Sequence, residues 1–203
     1  MEQASEAEDR VIDAAMALAA EDGWRHLALS RIAAAAGVPL TDVYRHFPSK
    51  ISVLAGLSRR IDRAVLAGGP CEDDDSVRDR IFDLLMRRFD ALNAVRPGVV
   101  AVLKDLPQDP EAALCQLQAL KRSMRWTLDL AGVPAEGLAG QIRVRALGLV
   151  YLWVLRTWMQ DDSADMAKTM AALDHRLSQA EQLAGTFRLV GRREAPRAAN
   201  AEQ

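Results

Sequence analysis

The chain of 203 residues is 50% apolar and 27% charged, with a formal net charge of −2, so it can bury a sizeable core in one or two small domains. The acidic residues before Arg10 lack the basic start and apolar run of a secretion signal, and the longest apolar stretch, 146–155, is too short to span a bilayer. Cys71 and Cys115 lie far apart without neighbouring ligands, which predicts free thiols in a cytoplasmic protein, with no disulfide, metal site or cofactor.

Residues 30–50 have the spacing of a helix-turn-helix. Ser30 is placed to cap a short helix of small residues, and Gly37 supplies the turn into a second short helix. The positions predicted to face inward are apolar: Ile32, Ala33, Ala36, Val38, Val43 and Phe47. The positions predicted to face outward are polar: Thr41, Asp42, Tyr44, Arg45 and His46. An exposed polar helix on a small scaffold suits insertion into the major groove of DNA.

Charge does not by itself favour a DNA-binding function. Acidic and basic residues nearly balance over residues 1–60. Because phosphate neutralisation supplies most non-specific affinity, such a segment has to gather its few cations on one face. Arg31, Arg45 and Lys50 lie on or beside the two short helices and are predicted to form that face, with the acids before Arg10 directed elsewhere.

Beyond Lys50 the sequence predicts helices throughout, because no alternating run is long enough for a convincing strand. Start and stop signals, with Ser49, Ser76 and Ser163 as predicted caps, place helices at 50–67, 77–94, 99–106, 110–131, 141–160 and from 163 onward. The acidic loop 68–75 between two of them is predicted to be a solvated linker rather than a metal site.

The last two predicted helices indicate a dimer. The helix at 141–160 is apolar nearly all round, as expected for a helix between its own domain and a partner. The last helix has apolar residues at steps of four and three, the spacing of a heptad seam: Met166, Met170, Leu173, Leu177, Ala180, Ala184 and Phe187. The polar end, 191–203, is predicted to be disordered.

Wide and polarisable side chains in the second half predict a binding site for a flat or chain-like apolar molecule. The candidate lining is Met86, Phe89, Met124, Trp126, Tyr151, Trp153 and Met159, with Arg122 and Arg125 as further polar partners. The same residues at helical spacing also fit a filled core. The sequence does not predict an enzyme, because His, Cys, Ser and carboxylate residues fall in no nucleophile, acid/base or metal arrangement.

Over residues 10–57 the chain resembles the TetR family of one-component bacterial transcription regulators, most specifically at Tyr44-Arg45-His46-Phe47-Pro48-Ser49-Lys50. The resemblance implies an all-α fold of about nine helices, with a DNA-binding domain at 1–50 and a ligand-binding and dimerisation domain at 51–190. It implies a homodimer that binds a palindromic operator, acts as a repressor and is released by an apolar small molecule. The residues expected to contact double-stranded DNA are Ser30, Arg31, Leu40, Thr41, Asp42, Tyr44, Arg45, His46 and Lys50.

The turn departs from the family pattern. Where the family usually carries Val-Ser and a short polar or glycine stretch, this chain has Val38-Pro39-Leu40-Thr41-Asp42. Pro39 lacks an amide donor, Leu40 replaces a common polar contact, and Asp42 brings a negative charge near the groove. An aspartate can accept a hydrogen bond from cytosine but is unfavourable beside phosphates.

A second resemblance leaves another function open. Residues 122–126 and 160–165 are similar to the mitochondrial ubiquinone-biosynthesis lipid-binding protein family, which shares the fold, binds lipid and does not bind DNA. That family uses a terminal amphipathic helix at membranes. The end of the last helix has suitable apolar and basic residues: Phe187, Arg188, Leu189, Val190, Arg192 and Arg193. The same residues fit a dimer seam.

Overall fold

Nine α-helices and one short 3-10 turn form the part of the chain that a computed structural model describes, residues 2–69 and 75–193, with side chains described for 6–69 and 75–182. No strand occurs in these ranges, so the predicted all-α class is confirmed. The helices are α1 Glu2–Asp22, α2 Leu29–Ala36, α3 Leu40–His46, α4 Lys50–Ala67, α5 Val77–Asn93, α6 Arg96–Asp105, α7 Pro110–Leu130, α8 Gly137–Trp158 and α9 Ala167–Arg193, with the 3-10 turn at Leu106–Gln108.

The first three helices pack around a small apolar core. Ile12 of α1, Ile32 of α2 and Val43 of α3 are buried together with Trp24 and Phe47. The inward positions predicted from the sequence are therefore buried, apart from Ala36, which is half-buried. Because the apolar side of α3 is used for packing, its other side is left for solvent.

Two details of this region differ from the prediction. The first helix begins at Glu2 rather than near Arg10. The acidic segment before Arg10 therefore extends the start of α1 by more than one turn. Acidic side chains are favourable in the first turn of a helix because they offset its dipole. Ser30 is not a cap, since α2 begins at Leu29 after Ala28 and no side chain bonds its first amides.

Most of the predicted helix ends are confirmed. Gly37 adopts a left-handed conformation with φ of 62° and ends α2. Ser49 accepts a hydrogen bond from the Ser52 amide at the start of α4, Ser76 does the same for Asp79 in α5, and Asp109 for Ala112 in α7. Helix α5 ends at Asn93 as predicted, but α6 begins at Arg96 rather than at 99, and a proline in its first turn costs no hydrogen bond.

A close approach at Gly98 joins α6 to α1. A Cβ atom built on Gly98 would lie 2.2 Å from the Met16 carbonyl oxygen, so only glycine fits there without movement. On the loop after α1, the Arg25 amide donates to Asp105 Oδ2 at 3.1 Å and its guanidinium donates to Gln108. The segment 96–108 is thus tied to the end of α1 and to the chain that leads into α2.

The remaining helices bury a second set of apolar residues, among which Phe89, Met124, Leu147 and Trp158 are prominent. By length and apolar composition α8 is the helix in the described ranges that could also cross a membrane. It packs against α7 and α9 and contributes several core residues, as the core helix of a folded domain does. We therefore interpret α8 as a core helix.

One side of α8 and α9 remains apolar and exposed. Leu138 is 78% exposed and Leu149 is 64% exposed, and the same side carries Ile142, Trp153 and Met170. In the predicted seam of α9, Leu173 and Leu177 are buried but Met170 is exposed. The side chains of Ala184 and Phe187 and the chain beyond residue 193 lie outside the described residues, as do residues 70–74 of the acidic loop and its Cys71.

Asp161 organises the connection from α8 to α9. Its buried carboxylate accepts from the Thr169 amide at 2.8 Å, from the Thr169 hydroxyl at 2.7 Å and from the Ser163 amide and hydroxyl. Burial alone would raise the pKa of Asp161, but these hydrogen bonds outweigh it and hold the pKa well below its ordinary value. Ser163 also accepts from the Ala167 amide, but α9 begins at Ala167, four residues after the predicted start.

Candidate nucleic-acid interface and apolar cavity

The exposed side of α3 presents four side chains, Leu40, Thr41, Tyr44 and Arg45, which we call the recognition face. Tyr44 is the most prominent aromatic group, with 53% of its surface exposed. The turn of helix between Leu40 and Tyr44 places both side chains on one stripe. Ser30 and Arg31 are exposed on the neighbouring α2. Residues from both helices therefore contribute to one solvent-facing surface.

Acidic side chains of α1 and α3 pair with the basic side chains around the recognition face. Arg31 Nη2 lies 2.6 Å from Asp22 Oδ2, and Arg45 Nη1 lies 3.1 Å from Asp42 Oδ1. His46 Nδ1 lies 3.1 Å from Glu8 Oε1. The expectation that the acids before Arg10 point elsewhere is therefore wrong for Glu8, because the longer α1 brings this residue beside α3.

Lys50 holds the chain between α1 and α2. Its Nζ donates to the carbonyl oxygens of Trp24 at 3.3 Å and Arg25 at 3.1 Å, and it lies 5.5 Å from the centre of the Trp24 ring. The side chain is half-buried. It therefore positions the helix-turn-helix, and a phosphate contact by Lys50 stays a prediction.

A cavity of about 220 Å³ lies between α4, α5, α6, α7 and α8. Its walls are mostly aliphatic, and its polar groups come from Ser58, Arg88, Gln116 and Tyr151. The aliphatic lining is Leu54, Leu57, Ile61, Leu92, Val99, Val102, Leu103, Leu106, Ala113, Leu117, Leu120, Leu152 and Leu155. Such a lining suits an apolar molecule that carries few polar groups.

A buried polar cluster forms part of the cavity wall. Arg88 Nη1 donates to Asp62 Oδ1 at 2.5 Å and its Nη2 donates to Ser123 Oγ at 3.2 Å. The Ser123 hydroxyl donates to the same Asp62 oxygen at 2.7 Å. Arg88 is 7% exposed and Asp62 is 6% exposed, so the two charges balance each other away from solvent.

The charge of Arg88 persists at neutral pH. Burial alone would lower the pKa of Arg88, but the oxygens of Tyr151 and Asp62 outweigh burial and raise it. Burial raises the pKa of the Tyr151 phenol, against the opposing effect of the Arg88 charge. Arg88 is therefore charged and Tyr151 is neutral under ordinary conditions.

The cavity is not lined by the residues that the sequence suggested, except for Tyr151. Met86, Phe89 and Met124 are buried in the core instead, and Met159 is half-buried. Trp126 and Trp153 are exposed, with the Arg176 guanidinium 3.9 Å from the centre of the Trp153 ring. The two suggested polar partners Arg122 and Arg125 are exposed as well. Wide side chains fill space between helices and therefore do not mark where space remains.

Charged residues on apolar stripes were the signal that the sequence analysis missed. Asp62 lies beside Ile61 and Val65 on the buried side of α4, and Arg88 beside Leu84 and Leu92 on α5. A charge at a core position needs a buried partner of opposite sign. The sequence could therefore have predicted that Asp62 of α4 pairs with Arg88 of α5.

Comparison with known proteins separates the helix-turn-helix segment from the rest of the chain. Residues 11–57 match the sequence model of a family described as bacterial regulatory proteins, tetR family. The HTH-type transcriptional repressor KstR of Mycolicibacterium smegmatis is 34% identical over 68 residues, which are 30% of this chain and 33% of KstR. The match to this repressor thus spans about a third of its length.

Solved structures extend the likeness to most of the chain. A TetR transcriptional regulator from Nitrosomonas europaea superposes with a TM-score of 0.71 at 23% identity, over 86% of this chain and 98% of that one. A TetR transcriptional regulator from Rhodococcus sp. RHA1 gives a TM-score of 0.59 at 24% identity, over 87% and 98%. At sequence identities of 23% and 24%, the likeness shows that the fold is shared.

The exposed side of α3 beside α2 defines a helix-turn-helix, which stands on a helical domain with an apolar cavity. Residues 11–57 match the tetR-family model, and the fold is shared with solved TetR regulators over most of the chain. The comparisons do not support the alternative of a lipid-binding protein of ubiquinone biosynthesis. The side chains at the end of α9 on which that alternative depended lie outside the described residues.

Proposed function

We propose that this protein is a cytoplasmic repressor that binds a palindromic operator as a homodimer and leaves it when an apolar small molecule fills the cavity. The observation that carries the proposal is the recognition face, which is exposed on a helix whose other side is fixed in the core. We infer a regulatory role from the combination of this exposed face with the apolar cavity.

The recognition face would enter the major groove. Thr41 and Asp42 are placed to select bases, and Leu40 to contact a thymine methyl group. The residues proposed to contact or orient phosphates are Ser30, Arg31, Tyr44, Arg45, His46 and Lys50. Since Arg31, Arg45 and His46 are paired with acids, phosphates have to replace those acids as partners. Binding is therefore expected to be weak on unspecific sequences.

Dimerisation would use the exposed apolar side of α8 and α9. Leu138, Ile142 and Leu149 lie along one side of α8 and are left uncovered by the described residues of a single chain. A second copy related by a twofold axis would bury them and present two recognition helices to one duplex. In this proposal residues 1–50 bind DNA, and residues 51–190 bind the ligand and the partner.

Ligand and DNA would communicate through α6. Val99, Val102 and Leu103 form one wall of the cavity, while Gly98 packs on α1 and Asp105 bonds the chain before α2. A ligand that displaces α6 would therefore change the position of the helix-turn-helix. Release follows if the displaced arrangement binds the ligand better than the DNA-bound one.

Selection of bound duplexes from a random library at 0.1 M salt tests the proposal. We expect an enriched palindrome for the wild-type protein. Tyr44→Ala should weaken binding to all sequences alike, whereas Thr41→Ala should change the enriched sequence. Absence of any enriched sequence would contradict DNA recognition by this surface.

A further inference from the structure

We propose that the cavity selects a neutral, compact ligand with one hydroxyl group, which bonds to Gln116, and that it rejects carboxylates. The proposal rests on the proposed function only in treating the ligand as the effector. The ligand chemistry itself follows from three features of the cavity: its size, its charge balance and an amide group without a full set of partners.

Size limits the ligand to a small molecule. The volume of about 220 Å³ is roughly one and a half times that of a cavity of about 150 Å³ that holds benzene. A single ring with a short chain therefore fits. Leu117 and Leu152 at the edge of the cavity are partly exposed, so the entrance is apolar as well.

Charge balance favours a neutral ligand. Arg88 is the buried cation of the lining and is already paired with Asp62, which also accepts from Ser123 and whose other oxygen lies 4.0 Å from Nη2 of the exposed Arg122, outside the lining. A carboxylate brought into this wall would lose its hydration and would have to compete with Asp62 for Arg88. A neutral molecule has no such cost.

Gln116 supplies a polar anchor. The Ser58 oxygen lies 3.1 Å from the Leu54 carbonyl and 3.2 Å from Gln116 Oε1, and its single proton serves only one of these acceptors at a time. Gln116 Nε2 is buried and bonds to no group in the described part of the chain. The amide therefore has hydrogen-bonding capacity left, and a hydroxyl is the ligand group that can both donate to and accept from it.

Calorimetry on the full-length protein without DNA tests this proposal with three probes that share one shape. At pH 7.5, 4-propylphenol is neutral with a hydroxyl, propylbenzene lacks the hydroxyl, and 4-propylbenzoate carries a charge. We expect 4-propylphenol to bind at least about tenfold more tightly than either of the others, because an unmet buried amide and an unmatched buried charge each cost on that order.

Variants on one helix assign the effect to Gln116. Gln116→Leu should bring the affinity for 4-propylphenol to within about twofold of that for propylbenzene. The control Gln118→Leu alters an exposed glutamine of the same helix outside the lining and should change none of the three affinities. A thermal unfolding curve of each variant shows whether it is folded.

Several results would overturn the proposal. Equal or tighter binding of 4-propylbenzoate removes the claim of neutrality, and a preference for 4-propylphenol that survives in Gln116→Leu removes the anchor. Binding of none of the probes shows that the cavity is not such a site. Failure of the duplex selection with intact probe binding would instead remove the proposed regulator and leave the ligand chemistry standing.

Discussion

At the scale of single residues, the side chains around the recognition face are the ones that decide function. Two arginines and one histidine there, Arg31, Arg45 and His46, each have an acidic partner within 3.1 Å, and all three pairs reach the surface. Surface ion pairs contribute only about 0 to 1 kcal/mol, so a phosphate can replace the acid at little cost. In the proposed function, the acids would therefore lower the affinity for DNA in general more than they stabilise the fold.

Removing one of these acids should strengthen non-specific binding. Asp22→Asn frees Arg31 for a phosphate, and we expect about a threefold higher affinity for unrelated duplex DNA with a steeper salt dependence. Titration at several salt concentrations measures both. Asp129→Asn makes the same change in net charge at an exposed site on α7 and serves as the control. An equal effect of the two variants would contradict a local role for Asp22.

Asp161 predicts a pH dependence of stability. Its pKa is lowered in the folded chain, so its contribution to stability is present above the ordinary aspartate pKa of about 4 and is lost as pH falls below that value. Asp161→Ala should cost about 2 kcal/mol at pH 7 because buried groups of Thr169 lose their acceptor, and this cost should shrink toward pH 2. Denaturant unfolding at several pH values measures it.

The exposed neighbour Asp162 provides the comparison for that experiment. Asp162→Ala should leave stability within about 0.5 kcal/mol at every pH. A loss in Asp161→Ala that does not diminish at low pH would show that the charge of the carboxylate is not responsible.

At the scale of elements, α6 matters most because it touches both the cavity and α1. The contact at Gly98 leaves no room for a side chain, and the hydrogen bond from Arg25 to Asp105 extends the connection toward α2. A helix held at both places moves as a unit. In the proposed function, occupancy of the cavity would therefore change the position of the helix-turn-helix.

Gly98→Ala should destabilise the protein by about 1 to 3 kcal/mol, because the added methyl group overlaps the Met16 backbone. Gly148→Ala is the matched control in α8, where the nearest neighbouring atom to a new Cβ is 4.0 Å away. That variant should be neutral or more stable by up to about 1 kcal/mol. Denaturant unfolding of both compares them, and equal stability would contradict close packing of α6 on α1.

Local signals predicted helix ends and the helix-turn-helix well. Gly37 ends α2 and Ser49 caps α4 because both effects act within a few residues of the chain. The length of α1 could also have been inferred, since the segment before Arg10 is rich in alanine and glutamate, which favour helices.

The cavity could not be predicted in the same way. Its lining depends on how five helices cross, and crossing angles are set by the whole core rather than by any one sequence segment. Phe89 and Met124 were expected at a ligand but are fully buried in the core, while the polar wall uses Arg88 and Asp62. The contact between Glu8 and His46 was missed because it depends on the crossing of α1 and α3.

At the scale of the whole molecule, the proposed operator recognition requires two chains. A single seven-residue recognition helix contacts few bases, and the described residues of one chain leave the apolar side of α8 exposed. A symmetric dimer resolves both problems with one interface. Dimerisation and operator recognition are therefore expected to fail together.

Leu149→Glu places a charge on the exposed side of α8 and should shift the protein from dimer to monomer. Leu114→Glu changes an equally exposed leucine on α7, away from that side, and should leave the dimer intact. Sedimentation velocity over a range of concentrations measures both. Dissociation of both variants, or of neither, would contradict the assignment of the interface to α8.

The most direct test of operator recognition by a symmetric pair compares the selected palindrome with the same duplex in which one half-site is scrambled. Native mass spectrometry gives the number of chains bound, and titration at fixed salt gives the affinity. We predict two chains on the palindrome and at least about a hundredfold loss of affinity when one half is scrambled. One bound chain, or equal affinity for the two duplexes, would contradict the account.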